Sequence, residues 1–141
     1  MPTRVKNLLE RNKEIAHKLH LEVIQKYNLD LADEIIAADC IFHRVVSTPK
    51  DARGPEVAKL MAKFDRDLFP KGVKFEHPNT LAEGDMVAIH WISRGVHKSG
   101  VRVEVPGIDI FRLKDGKIVE AWIVWDRLSL QEQMEARKKS A

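Results

Sequence analysis

The spacing of apolar residues changes once along this chain, after Phe69 and Pro70, and this change limits the possible folds more than any other feature. Before it, apolar positions recur every three or four residues, as on one face of a helix. After it, runs rich in β-branched and aromatic residues alternate with glycine-containing turns. Helices followed by a meander of long strands predict an α+β domain, with helices packed on one face of an antiparallel sheet.

Three helices are predicted in the first half of the chain. The first runs from Val5 to about Tyr27 and has the apolar spacing of a long amphipathic helix. Asn28 and Asp30 offer side-chain oxygens to cap a second, shorter helix, which ends at Asp39. Gly54-Pro55 begins the third helix, because proline is tolerated in a first helical turn.

Five strands are predicted, and the last four are joined by short turns in which glycine supplies a positive φ. Such turns make neighbouring strands antiparallel, and strands this long and twisted should curl into a cone around a pocket. A strand between the second and third helices must join the same sheet to satisfy its backbone. The predicted strands are Cys40–Val46, Val73–Leu81, Met86–His97, Val101–Leu113 and Lys117–Trp125.

Composition limits the class of protein. With 141 residues and 44% hydrophobic residues, the chain can bury one core, so a single domain over residues 1–141 is expected. The lone cysteine, Cys40, cannot form an internal disulfide, and no signal-like segment opens the chain, which predicts a cytoplasmic protein. No membrane span is expected. A formal charge of +3 without a basic and aromatic stripe argues against nucleic-acid binding.

Several short motifs, in their order and spacing, resemble the SnoaL-like polyketide cyclase family, which belongs with nuclear transport factor 2 and ketosteroid isomerase. The resemblance covers nearly the whole chain and implies a cone-shaped α+β barrel with a deep pocket, assembled as a homodimer or homotetramer. The motifs are Gly54-Pro55-Glu56, Phe69-Pro70, Glu83-Gly84-Asp85, Gly95-Val96-His97, Gly107-Ile108-Asp109-Ile110-Phe111-Arg112, Asp115-Gly116-Lys117-Ile118-Val119-Glu120, Trp122 and Asp126.

The chain departs from the family at two positions that the resemblance makes important. The characterised cyclases have an acidic residue where this chain has Ile123, and a histidine where it has Asp109. These differences bear on whether the chain performs the aldol cyclisation of its relatives.

The turn after Leu113 decides which side chains face the pocket. A three-residue loop with a bulge would place Leu113 opposite Lys117 and Asp109 opposite Ala121. With a period of two, one face then carries Gly107, Asp109, Phe111, Val119, Ala121, Ile123 and Trp125. On this interpretation Asp109 is a lone carboxylate among apolar neighbours.

Asp109 and His43 are the candidate catalytic residues. Burial disfavours a charged carboxylate, so Asp109 in such a pocket could exchange protons with a bound substrate. The structural alternative is that Asp109 hydrogen-bonds to a nearby backbone group or pairs with Arg94 or Arg112, and so holds strands together without a substrate. His43 lies where the family often carries a histidine, and its imidazole could relay a proton. A satisfied, partly buried histidine is the alternative there.

Further residues are candidates for binding a substrate or a second subunit. The predicted substrate contacts are Phe42, His90, Phe111, Ile123 and Trp125. His77 is expected to face solvent or lie near an edge. His17 and His20 lie three apart without an obvious third ligand, so no metal site is predicted. Trp122 and Val124 face away from the pocket, and an exposed tryptophan there predicts a dimer interface.

Two functional hypotheses follow. The first is a cofactor-independent acid–base enzyme, of cyclase or isomerase type, that binds a small, largely apolar carbonyl compound and uses Asp109, assisted by His43. The second is a noncatalytic protein that binds such a compound, which the change to Ile123 favours. A structural or interaction module, with its pocket filled by side chains, is a third alternative. Neither a serine elbow nor a phosphate-binding glycine loop is present, so no cofactor is predicted.

Overall fold

The computed structural model describes residues 2–43 and 48–140, and the predicted α+β fold is confirmed. The helices are α1 (Pro2–Lys18), which continues as a π-helix (Leu19–Gln25), α2 (Leu31–Ile35), α3 (Pro55–Leu68) and α4 (Arg127–Ser140). The strands are β1 (Ile36–His43), β2 (Val73–Glu83), β3 (Met86–Val96), β4 (Arg102–Lys114) and β5 (Lys117–Trp125). Within the described ranges, no helix is long and apolar enough to span a bilayer.

The strands form one mixed sheet in the order β1-β5-β4-β3-β2. Strand β1 pairs with β5 in parallel, and the other neighbours are antiparallel. The π-helix packs against α3 and β2, and α1 contacts β2, β3 and β5. These helices therefore cover one face of the sheet.

Strand β4 separates the two faces of the sheet by alternating burial. Every second residue from Val103 to Leu113 is buried, whereas Ile108 and Ile110 between them are exposed. This alternation is the period of two expected of a strand with one covered face. We call the face with the helices the inner face and the other one the outer face.

The predicted end of the second helix is wrong. This helix ends at Ile35 rather than Asp39, because the chain from Ile36 onward pairs with β5 as strand β1. Asp30 occupies the position before the helix, but its side chain makes no capping hydrogen bond. The predicted strand Cys40–Val46 overlaps β1, and its residues 44–46 lie outside the described part of the chain.

The turn between β4 and β5 also differs from the prediction. Lys114 pairs with Lys117 across a two-residue turn, in which both Asp115 and Gly116 have a positive φ. The bulge lies instead between Arg112 and Leu113.

This shift changes which residues face each other across the two strands. Asp109 lies opposite Ile123 rather than Ala121. Ile118, rather than Val119, is fully buried opposite Leu113. The other predicted inner-face residues still lie on the inner face. Beyond the bulge, the observed pairing differs from the predicted one by two residues, and an even difference leaves each side chain on the same face.

Candidate functional site

A cavity of about 100 Å³ lies between the helices and the inner face of the sheet. Pockets that hold drug-sized ligands usually measure roughly 300–1,000 Å³, so this cavity suits a small compound. Most of its wall is apolar, and its ionisable lining residues are Asp109, His20 and Asp65. The apolar lining residues include Ile24, Met61, Phe64, Leu68, Phe69, Phe75, Val103, Val105, Ile123, Trp125 and Leu130.

Asp109, on β4, is the most buried carboxylate of the cavity, with 1% of its surface exposed. One carboxylate oxygen, Oδ2, lies 2.7 Å from Nε2 of His20. The other, Oδ1, accepts a hydrogen bond of 2.9 Å from the indole Nε1–H of Trp91. An ionised carboxylate only accepts hydrogen bonds, so His20 donates to it through Nε2.

The prediction that Asp109 is a lone carboxylate is therefore wrong. Its partners are a histidine from the first helix and a tryptophan from β3, both far away in sequence. The arginine alternative is also wrong, because Arg94 pairs with Glu76 and Glu104. Arg112 pairs with Asp85 and Glu120 on the outer face.

Trp91 reaches Asp109 only because residue 107 is glycine. Trp91 and Gly107 are direct partners across β3 and β4. A Cβ atom on Gly107 would lie 2.1 Å from Cζ2 of the Trp91 ring. No real Cβ makes such a contact, so the indole rests on the bare glycine backbone and thereby points its N–H at Asp109.

His20 is held between the cavity and the edge of the sheet. It lies in the π-helix, has 1% of its surface exposed, and stacks on the ring of Phe75 with centroids 4.5 Å apart. Its second ring nitrogen, Nδ1, lies 2.8 Å from Nε2 of His77. Both ring nitrogens are therefore engaged, which fixes the orientation of the imidazole against Asp109.

The sequence carries a signal that His20 is buried, which the metal-ligand interpretation does not use. His20 follows buried Leu19 and precedes buried Val23 and Ile24, so it is a polar residue on the buried face of a helix. The interpretation of His17 and His20 as an incomplete metal-ligand pair leaves this signal unused. No group of three His, Cys, Asp or Glu side chains within residues 2–43 and 48–140 is arranged to hold a metal ion.

Asp65 brings a second carboxyl group to the cavity, from α3. Its side chain makes no hydrogen bond or ion pair with any described residue. Burial raises the pKa of Asp65 to about 6, against a smaller lowering by the charge of His20. Asp65 was not among the predicted site residues, although it lies four residues after Met61 and three before Leu68 and so shares their helical face.

Of the residues predicted to bind a substrate, Ile123 and Trp125 line the cavity. Phe111 is fully buried in the core, with its ring centroid 6.5 Å from that of His20, and it is not part of the cavity wall. Phe42 is partly buried against the same core.

Two predicted site residues lie on the outer face, away from this cavity. His90 alternates with buried Ile89 and Trp91 and contacts Asn79, so its placement in the pocket is wrong. His43 contacts Glu120 at 2.8 Å. Its ring also stacks on that of Trp122, so it does not reach the substrate cavity. The positions of His90 and His43 on the outer face follow from the period of two along a strand, which places alternate side chains on opposite faces.

Comparisons with known proteins agree with this architecture. The family model of the SnoaL-like polyketide cyclases matches residues 14–134. No curated protein matches the chain.

Solved structures share the fold at low sequence identity. Wild-type IdmH, a proposed polyketide cyclase from Streptomyces antibioticus, is 23% identical with a TM-score of 0.76, over 88% of this chain and 98% of that one. A proposed polyketide cyclase from Bacillus cereus is 24% identical with a TM-score of 0.77, over 89% and 80%. An LEH-like epoxide hydrolase from M. tuberculosis is 15% identical with a TM-score of 0.70, over 91% and 92%. At these identities the likeness shows the fold alone.

Proposed function

The chain belongs to the SnoaL-like polyketide cyclase family, and we propose that it is a cofactor-independent acid–base enzyme acting on a small, largely apolar carbonyl compound. The single observation that carries this proposal is the buried Asp109–His20 pair, which opens into an apolar cavity. Such a pair in a water-poor site is suited to moving a proton, because little solvent competes for its hydrogen bonds.

Asp109 is the proposed base. It removes a proton from the carbon next to the substrate carbonyl: the C–H bond breaks, its electrons form an enolate, and an O–H bond forms on Asp109. The hydrogen bonds from His20 and Trp91 hold the carboxylate in place for this step. The enolate then attacks an electrophilic carbon in a cyclisation, or is protonated at another carbon in an isomerisation.

Asp65 is the proposed acid. Because burial raises its pKa to about 6, a large share of this carboxyl group is neutral in mildly acidic solution. A neutral carboxyl group can donate its hydrogen to the developing enolate oxygen, and a donor in a preorganised site stabilises charge that appears in the transition state. Among the side chains that the structure describes, none hydrogen-bonds to Asp65, which leaves that hydrogen available for the substrate.

The two departures from the family pattern are compatible with catalysis. Ile123 and Asp109 are direct partners across β5 and β4. Side chains of such pairs have Cβ atoms about 4.5–5.5 Å apart, so a carboxylate at residue 109 serves nearly the same part of the cavity as one at residue 123. The carboxylate is thus on the neighbouring strand rather than lost.

Exchange of α-protons in D₂O tests the proposal without knowledge of the natural substrate. Cyclohexanone is a suitable probe, being small and apolar with exchangeable protons beside its carbonyl. We expect the protein to speed deuterium incorporation, measured by proton NMR, and Asp109→Asn to reduce the rate by about 100-fold or more. Asp115→Asn, which alters an exposed turn carboxylate, is the matched control and should exchange at the original rate.

A noncatalytic binding protein is the second candidate, favoured by Ile123 at the acidic position of the cyclases. The same experiment separates the two functions. Cyclohexanone that binds, as seen by chemical-shift changes of cavity residues, but exchanges at the rate of buffer would contradict the enzyme and support the binding protein.

A further inference from the structure

Ser93, on β3, brings a hydroxyl group to the wall of the apolar cavity. Buried Trp91 precedes it by two residues, so alternation along the strand places its side chain on the inner face. Its direct partners across the sheet are Phe75 on β2 and Val105 on β4, which also line the cavity. The hydroxyl group therefore has apolar neighbours on both sides.

Three other polar side chains of the cavity wall are hydrogen-bonded to one another. The indole N–H of Trp91 donates to one carboxylate oxygen of Asp109, and His20 contacts the other. The side chain of Ser93, by contrast, makes no hydrogen bond with any residue that the structure describes. Ser93 and Asp65 are thus the polar groups of the wall that a ligand can engage without breaking a hydrogen bond within the protein.

This hydroxyl group affects which ligands the cavity accepts. Ser93 is partly exposed, so water can reach it while the cavity is empty. A wholly apolar ligand would displace that water without replacing its hydrogen bonds, which is unfavourable. A ligand with an oxygen at the same place restores a hydrogen bond, since a hydroxyl group both donates and accepts. Sites of this kind discriminate between ligands that differ by one polar group.

Ser93 lies well apart from the proposed base. Asp109 is the partner of Ile89 on β3, and Ser93 follows Ile89 by four residues. At about 3.3 Å per residue, the two positions are roughly 13 Å apart along the strands. The ring of Trp91 lies between them, over Gly107. A ligand that contacts both residues must therefore extend across the indole ring.

The separation sets the length of such a ligand. The contact between the carboxylate and the reacting carbon, and the hydrogen bond at Ser93, each take up about 3 Å. About 7 Å then remains between the reacting carbon and the distant oxygen. A ketone with these two atoms on opposite sides of one aromatic ring has this length. The cavity need not enclose the whole ligand, because Phe64 in its wall is 39% exposed.

We infer that Ser93 is a specificity-determining residue whose hydroxyl group hydrogen-bonds a second oxygen of the substrate, at the end distant from the reacting carbon. This narrows the substrate to carbonyl compounds with a hydroxyl or second carbonyl group about 7 Å from that carbon. The inference rests on the proposed function, because Asp109 as the base defines the reacting end. Asp65 keeps its proposed role at the enolate oxygen.

Binding of two ketones that differ by one hydroxyl group tests this inference. Acetophenone and 4-hydroxyacetophenone both carry exchangeable protons beside the carbonyl, and only the second has the distant oxygen. We expect the wild type to bind 4-hydroxyacetophenone about fivefold more tightly, which is within the range of one neutral hydrogen bond. Chemical-shift changes of cavity residues in NMR titrations give the two dissociation constants.

Three variants locate the source of this preference. In Ser93→Ala we expect the two ketones to bind with equal affinity, whereas Ser93→Thr, which keeps a hydroxyl group, should retain the preference. Ser99→Ala removes a hydroxyl group from the exposed turn after β3, so it is the matched control and should behave as the wild type. Partial loss of folded protein would weaken both ketones alike, so it cannot remove a preference between them.

The outcomes that contradict the inference are distinct. Equal affinities in the wild type, or a preference that survives in Ser93→Ala, would overturn the role of Ser93. Failure of both ketones to bind would overturn it too, because the cavity would then not accept a ligand of the stated length. None of these results depends on deuterium exchange into cyclohexanone, so each is distinguishable from failure of the proposed function.

Discussion

At the scale of single residues, Gly107 and Trp91 control the environment of Asp109. The indole lies where a side chain on residue 107 would be, and its N–H completes the hydrogen bonding of the carboxylate. The position of one glycine thus decides whether the proposed base is fully partnered.

Gly107→Ala should destabilise the protein by about 1–3 kcal/mol, because the added methyl group overpacks against Trp91. The free energy of unfolding in urea measures this cost. In a Trp91→Phe background the smaller ring leaves room, so the same substitution should cost less, and the double-mutant cycle should show the coupling. Equal costs in the two backgrounds would mean that the collision with Trp91 is not the cause.

The sequence placed Asp109 on the inner face but could not identify its partners. The alternation of side chains between the two faces is a local property of one strand. It therefore places Asp109 correctly even though the predicted pairing of β4 with β5 is wrong. The contact between His20 and Asp109 spans 89 positions, and it depends on how a helix lies across the sheet. Asp65 was within reach of sequence analysis, since its spacing from Met61 and Leu68 puts it on the same helical face.

At the scale of elements, the strands were easier to predict than the irregular segments that shape the site. Strands β2 to β5 follow from β-branched runs and glycine turns. The π-helix leaves no clear mark on the pattern of apolar residues. The bulge in β2 does, because Pro78 lies between Glu76 and Asn79, and proline within a strand indicates an edge strand or a bulge. The prediction for the β4–β5 turn is wrong because both a two-residue and a three-residue loop accept glycine there.

At the scale of the whole molecule, the outer face of the sheet carries an apolar patch that is exposed in the part of the chain that the structure describes. Ile108 is 53% exposed and Val124 is 54% exposed, and the two are direct partners across β4 and β5. Ile110 and Trp122 pair beside them, with Ile110 38% exposed. A contiguous apolar patch of this kind is typical of an interaction surface, and we propose that it joins two copies of the chain.

A charge in the centre of this patch should separate the copies. We expect Ile108→Lys to shift the protein from dimer to monomer in analytical ultracentrifugation, because a lysine would be buried without a partner in the interface. Leu81→Lys is a useful control, since Leu81 is 70% exposed at the edge strand β2. A wild-type protein that sediments as a monomer would rule out this interface.

The central claim for the whole molecule is that one cavity holds a base on the sheet, Asp109, and an acid on a helix, Asp65. The most direct test is the pH dependence of deuterium exchange into cyclohexanone, compared between the wild type and Asp65→Asn. Because the acid works only while protonated, the wild-type rate should fall as pH rises through the raised pKa of Asp65, about 6. His20, which faces Asp65, and its partners His77 and Asp109 are retained in the variant, so their titration is common to both proteins.

We predict that this fall near pH 6 disappears in Asp65→Asn, since an amide donates a hydrogen bond at every pH. The same fall in both proteins would contradict the account, because Asp65 would then not be the acid of the cavity.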